Sequence, residues 1–299
     1  MCGIVGLFLK NRELVPSIGE LFAPMLVSMS GRGPDSAGFA IYGNEAPAGW
    51  IKITLRHHRT DYDWAGLVKA LERRFGGGAN FLVNHTYAVI KIKAEETSLR
   101  RFLSVTDPDL RVMSVGRSIE ILKEVGSPRS IVDRFAVARM KGTHVIGHTR
   151  MATESAVTTD GSHPFSTGLD LCLVHNGSLS NHNRWRQRLV RHGIEIRTEN
   201  DSEVAAGYLT WRLQQGDALK QALEASLKAL DGFYTFAIGT ADGFAVLRDP
   251  IACKPAVMAE TADYVAMASE FQALADLPEI ERAVTWEPKP GVVYTWGRN

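Results

Sequence analysis

Cysteine is scarce in this 299-residue chain: Cys2, Cys172 and Cys253 are an odd number with no CxxC pair. That pattern supports neither a disulfide framework nor a zinc site, and it fits a reducing, cytoplasmic setting. An excess of one sign of charge is missing as well. Thirty-four Lys and Arg against 33 Asp and Glu leave a net charge of +1, which gives no electrostatic reason to expect nucleic acid or an anionic membrane as partner. No uninterrupted apolar run approaches the ~18 residues that cross a bilayer, and the N-terminus lacks the charged and apolar regions of a signal peptide. Gly76-Gly77-Gly78 has no phosphate-binding lysine after it and reads as a loop rather than a nucleotide cradle.

What is present is ample apolar material, 45% of residues, arranged in short β-rich runs. Strand-like segments cover 2–9, 38–42, 50–56, 144–149, 171–176, 234–239, 244–248, 264–269 and 292–296. Ala241-Asp242-Gly243 sits between two of them, so 234–248 reads as an antiparallel hairpin. Helical periodicity marks 17–29, 61–75, 181–192 and 202–230, the last broken near Gly216-Asp217. Arg184, Arg186, Arg188 and Arg191 are spaced as one solvated helical flank.

The N-terminus carries the sharpest chemical signal. Removing Met1 would place a thiol and a free α-amine on Cys2. With ordinary pKa values of about 8.5 and 7.7–8.0, the amine can take the thiol proton near neutrality. Cys2 would then carry its own base, the N-terminal-nucleophile arrangement. Asn176-Gly177 follows a strand and offers a side-chain amide beside a permissive backbone N–H, suited to an oxyanion hole or equally to a hairpin turn. Arg150 ends a strand with a planar fork suited to a carboxylate, or is a surface arginine. His163 precedes a proline, and as a lone histidine is more often structural. Asp201 opens the long helix as a cap or as an anion for an ammonium group. Arg32 and Asp35 flank the turn of a Gly-rich loop over 31–38 that reads as pocket lining.

Taken in order, MCGIVG, RGPDSAG, GHTRMAT, SHPF, LVHNGSLSN, END-SE, LDGFYTFAI, RDPIACKP and ASE resemble the glutaminase domain of class II glutamine amidotransferases. The narrower likeness is to the separate glutaminase subunit of glutamate-synthase-like systems, including N-methylglutamate synthase. The resemblance implies an α+β fold, a four-layer αββα sandwich of mostly antiparallel sheets of the N-terminal-nucleophile hydrolase kind, as one domain over 1–299 with 44–140 a family-variable insertion. It implies Cys2 as nucleophile, Asn176 and the Gly177 N–H as oxyanion hole, Arg150 on the glutamine α-carboxylate and Asp201 on its α-amine. Thr153 and His163 match positions near the same pocket. Met151 departs from the pattern, since several relatives carry tryptophan there. Further expectations are glutamine as substrate, no metal or cofactor in this chain, and partner synthase subunits in a hetero-oligomer that hold FMN and an iron–sulfur cluster. A free-standing N-terminal-nucleophile amidohydrolase and a non-catalytic regulatory subunit stay open as alternatives.

Overall fold

The computed structural model describes residues 2–152 and 157–297. From the N-terminus, strands and α-helices run β1 Gly3–Leu9, α1 Ile18–Ser28, β2 Ser36–Tyr42, β3 Ile51–Arg56, α2 Trp64–Phe75, β4 Asn80–Asn84 and β5 Tyr87–Ile92. They continue as α3 Glu96–Thr106, β6 Arg111–Gly116, β7 Ile119–Val125, α4 Pro128–Arg134, β8 His144–Arg150 and β9 Cys172–Leu179. The last third holds α5 His182–Arg191, α6 Asp201–Gln214, α7 Leu219–Ala229, β10 Gly232–Thr240, β11 Gly243–Arg248, β12 Val257–Glu260, β13 Tyr264–Ala268, β14 Val284–Trp286 and β15 Val293–Gly297.

Seven strands pair in the order β14-β12-β13-β1-β8-β2-β7, and four in the order β15-β11-β10-β9. Strand alternation explains how the two sheets stack. In β10 and β11, Ala237, Phe244 and Val246 join a core shared with Phe39 and Val145 of the larger sheet and with Phe22 and Leu26 of α1. The intervening Phe236, Ile238, Ala245 and Leu247 join a second core with Leu189 of α5, Leu209 of α6 and Leu223 of α7. A side-chain period of two thus gives one sheet two apolar faces, and the layers follow as helix, sheet, sheet, helix. This is the αββα sandwich expected above. The hairpin is present too, with Thr240 paired to Gly243.

A third sheet, β4-β5-β3-β6, was not anticipated. It packs on α2 and α3 over its own core, which includes Ile53, Leu55, Ile90, Leu71 and Leu103. Helix α2 buries Trp64, Leu67, Val68 and Leu71, the i, i+3, i+4, i+7 face of an amphipathic helix, and Asp63 caps it by accepting from Gly66 N at 2.8 Å. Of this unit only β3 and α2 had been read from the sequence. Strand β3, though read from the sequence, carries a buried charge, Lys52. Burial lowers the Lys52 pKa while Glu120 opposes the shift. The ammonium donates to Gly43 O at 2.7 Å and Ser118 O at 3.0 Å.

Where β6 passes into β7, Asp170 forms a second tie. Its carboxylate accepts from the backbone N–H of Arg117 (2.7 Å), Ser118 (2.8 Å) and Ile119 (3.0 Å). Asp170 lies just ahead of β9.

Among the described residues, Arg12–Gly31 is long and apolar enough by length and composition to cross a membrane, with a mean hydropathy of 1.3. It is not an uninterrupted apolar run, since Arg12, Glu13 and Glu20 fall within it. In the fold this segment includes α1, whose Ile18, Phe22, Met25 and Leu26 are buried. Each such burial contributes about 2 kcal/mol gross to the core.

Candidate functional site

Strand β1 runs in the middle of the larger sheet, paired with β13 on one side and β8 on the other, with Gly3 opposite Thr149. Cys2 immediately precedes it, half-buried and in no disulfide. Strand β8 ends in Arg150, which pairs with Ser36 at the start of β2. From the facing sheet, β9 brings Asn176 to the same end. The Asn176 Nδ2 donates to the Cys2 carbonyl oxygen at 3.1 Å, and Arg32 Nε donates to the same oxygen at 2.9 Å. Arg32 also pairs with Glu270. Ile4 N donates to Ser269 Oγ and Ser269 N to Ile4 O, both at 2.9 Å, so strand β1 is tied to β13 at the residue after Gly3. Cys2 is therefore fixed through its carbonyl from two sides. An amide NH2 has two donor hydrogens, and Asn176 uses one of them on Cys2.

Gly177 has φ of +150°, and a Cβ at that position would lie 2.0 Å from Phe233 O and 2.7 Å from Tyr234 Cα. Only glycine lets β9 lie this close to β10 while turning its backbone beside Asn176.

Arg150 is buried, which removes the surface-arginine alternative. Its carbonyl oxygen accepts from Asp35 N at 3.1 Å, and the Asp35 carboxylate accepts from Ala152 N at 2.8 Å. Both charged residues of the 31–38 loop thus lace it to the site: Arg32 to Cys2, Asp35 to the segment after β8. Strand β2 already begins at Ser36, so the loop proper is shorter than the sequence suggested.

Helix α6 is capped by Asn200, whose side chain accepts from Ser202 N at 2.9 Å. The capping alternative therefore falls to Asn200, and Asp201 has other partners. Its Oδ2 accepts from Leu179 N at 2.8 Å, Ser202 Oγ donates to Oδ1 at 3.2 Å, and His175 Nδ1 lies 3.6 Å from Oδ1. Burial would raise the Asp201 pKa, but the His175 contact, the Leu179 N–H and Ser202 outweigh it and bring it to about 2. Asp201 is a fixed anion at neutral pH.

The His163 and His148 rings lie 4.0 Å apart between centroids, tilted by 31°, and His148 Nε2 donates to His175 O at 3.1 Å. Burial pushes the His148 pKa down to about 3 and that of His163 well below the ordinary value, with neighbouring His and Arg150 adding to both. Both rings are neutral, so this side of the site is polar without carrying charge. Both ring nitrogens of His163 are buried with no hydrogen-bond partner among the described residues. Thr153 lies outside the described residues. Met151, the departure from the family pattern, is partly exposed.

The structure gathers Cys2, Arg32, Asp35, Arg150, His163, Asn176, Gly177 and Asp201, each named from the sequence, around the ends of β1, β8 and β9. Sequence reasoning went no further than naming them. It missed Lys123, buried on β7, whose Nζ donates to Ser162 O at 2.6 Å beside His163. The signal was there: Ile119, Ile121 and Lys123 share one face of β7, and the lysine stands where an aliphatic residue would continue the row. A cavity of about 830 Å³ adjoins this point, lined by Lys123, Pro164 and Phe165 and, from the third-sheet unit, Leu103 and Arg111; Cys2 does not line it. His57, His58 and Asp109 have donor atoms close enough to share an ion. However, His57 Nδ1 already accepts from Arg59 N at 3.1 Å and its Nε2 faces Asp107 at 3.6 Å, which leaves a neutral ring no spare lone pair.

Comparison with known proteins adds relatives to this geometry. The glutamine amidotransferase domain family matches residues 148–276. The chain is 56% identical, over 99% of its length and 98% of the other, to the glutamine amidotransferase-like protein GlxB of Rhizobium meliloti (strain 1021). It is 42% identical over 93 residues, 31% of this chain and 15% of the other, to a glutamine–fructose-6-phosphate aminotransferase of Xylella fastidiosa. Among solved structures, the glutamine phosphoribosylpyrophosphate amidotransferase from B. subtilis superimposes with a TM-score of 0.63 at 20% identity, a likeness of fold. That match covers 99% of this chain and 47% of the B. subtilis chain, so the present chain spans about half its length.

Proposed function

The chain belongs to the class II glutamine amidotransferases, and on that premise we propose that it hydrolyses the side-chain amide of glutamine through Cys2 and hands the ammonia to a partner synthase subunit. The observation that carries the assignment of roles is the Asn176 amide held on the Cys2 carbonyl, with buried Arg150 and the Asp201 anion at the same end of the sandwich.

The chemistry follows from these groups. With Met1 removed, the α-amine of Cys2 takes the thiol proton, and the thiolate attacks the glutamine δ-carbon. The oxyanion that develops on the amide oxygen accepts hydrogen bonds from the second Asn176 N–H and from the Gly177 N–H. The Cys2 ammonium returns its proton to the leaving nitrogen, the C–N bond breaks, and ammonia departs. Water then attacks the thioester, releasing glutamate and restoring the thiol. Arg150 grips the substrate α-carboxylate and Asp201 its α-ammonium, which fixes the zwitterion before attack.

The partner in this reading is glutamate-synthase-like or N-methylglutamate-synthase-like and carries the flavin and iron–sulfur chemistry, this chain supplying only ammonia, in the cytoplasm. The test has two arms. Intact mass of active protein should begin at Cys2, and Cys2→Ser should abolish glutamate release while keeping the fold; full activity with Met1 retained would sink the self-activated thiol. Purification from the native host should bring synthase subunits along and raise the rate of glutamate release. A lone chain already at full rate, with nothing co-purifying, would favour the free-standing amidohydrolase.

A further inference from the structure

We propose that Lys123 is a positioning residue of the glutamine site: it holds the loop that carries His163 against His148, and through them the stretch of β9 that ends in Asn176 and Gly177. The proposal rests on the glutaminase reading above, because it concerns how that site is kept in shape.

Lys123 is buried on β7, opposite Gly38 of β2. Its ammonium donates to the carbonyl oxygens of Ser162 (2.6 Å), Asp160 (3.1 Å) and Pro164 (3.2 Å), which uses all three of its donors on one short loop. It also lies 4.6 Å over the Phe165 ring. No ion pair to it is found among the described residues. A buried ammonium satisfied only by neutral oxygens carries a desolvation cost that an aliphatic side chain would avoid. What the lysine provides in exchange is geometry, since it gathers three carbonyls to one point. Burial lowers its pKa to about 8, opposed by Asp160 and Glu203 and assisted by Arg56 and Arg150, so it keeps its proton at neutral pH.

The loop also meets the neighbouring strand on the same face of the sheet. A Cβ on Gly38 would lie 2.3 Å from His163 O, so the His163 backbone rests directly on β2. Seated on Gly38 and held by Lys123, the loop sets the His163 ring on His148 at 4.0 Å. His148 in turn holds His175 O at 3.1 Å, and the next residue is Asn176. Every link is a direct contact.

The experiment compares Lys123→Met, which keeps the stem and removes the donors, with Lys123→Arg, which keeps donors and charge. Lys123→Gln stands in should the methionine variant not fold. Each is assayed for glutamine hydrolysis with kcat and KM separated, and by ring 15N NMR of His148 and His163. The methionine variant should lose about tenfold or more in kcat/KM, chiefly in kcat, with displaced ring signals, and arginine should recover a measurable part of both. Unchanged kcat/KM and unchanged ring signals in Lys123→Met would overturn the proposal. So would equal losses in both variants with ring signals like those of the unaltered chain, which is how a merely structural residue behaves. Absence of glutamine hydrolysis in the unaltered chain would instead count against the glutaminase reading, and the ring signals would then decide the role of Lys123 alone.

Discussion

Replacing Gly177 by alanine tests the proposed oxyanion hole at its most constrained point. Two costs can be worked from the structure. At φ of +150° an L side chain is strained, a cost of about 1–3 kcal/mol. The new methyl would also meet Phe233 O at 2.0 Å and Tyr234 Cα at 2.7 Å. Both are backbone atoms of the paired strand β10 and cannot rotate away, so β9 and β10 must part; overpacking of this kind costs about another 1–3 kcal/mol. Together they predict a loss of about 2–6 kcal/mol, and at about 2 °C per kcal/mol for a chain of this size, a fall in Tm of roughly 4–12 °C. Displacing one oxyanion donor should lower kcat by about 100-fold or more at temperatures where the variant is still folded. Gly78→Ala, remote from the site, is the matched control, since a Cβ there meets nothing within 4 Å and Gly78 has no positive φ. Thermal unfolding and glutamate release at saturating glutamine read the two effects separately. A Gly177→Ala protein with the Tm and kcat of the Gly78→Ala control would refute both the packing argument and the assigned role.

Two further outcomes are expected. Arg150→Lys replaces a planar fork by a point charge, so kcat/KM for glutamine should fall by about tenfold or more; steady-state kinetics unchanged in both this variant and Asp201→Asn would mean that other residues hold the substrate. The Asp201 pKa of about 2, against an ordinary 3.8, makes this carboxylate favour the folded state above the ordinary value and lose that contribution as pH falls toward 2. Denaturant unfolding should therefore show Asp201→Asn less stable than the unaltered chain by about 2 kcal/mol at pH 7 and the gap narrowing below pH 4; a gap independent of pH would show that the carboxylate is not held by these contacts.

The strands that build the sandwich were readable because both of their faces are apolar. Gly3–Leu9 is buried along its whole length, and the alternation in β10 and β11 separates two cores residue by residue. The third sheet was read only in part. Its outer strand Asn80–Asn84 offers just three apolar residues, Phe81, Leu82 and Val83, all exposed, too short a run for a period to show. In the larger sheet, β7 places Lys123 and Glu124 at buried positions that a pattern reader assigns to solvent. The site divides in the same way. Cys2, Asn176, Gly177, Arg150 and Asp201 sit in short motifs whose chemistry shows in the residue types. Which groups hold them is a matter of long-range contacts: Glu270 meets Arg32 across 238 positions of sequence, and no local pattern announces that pairing.

Asp170 gives the third sheet a different standing from that of an appendage. Its buried carboxylate reaches the backbone of the β6–β7 turn on one side and stands at the threshold of β9 on the other. The N–H groups it holds belong to residues 117–119, just past the last strand of that sheet, while Asp170 N donates to Val115 O within it at 2.9 Å. One residue thus buttons the third sheet, the turn that leaves it and the approach to the strand carrying Asn176 and Gly177 to a single point.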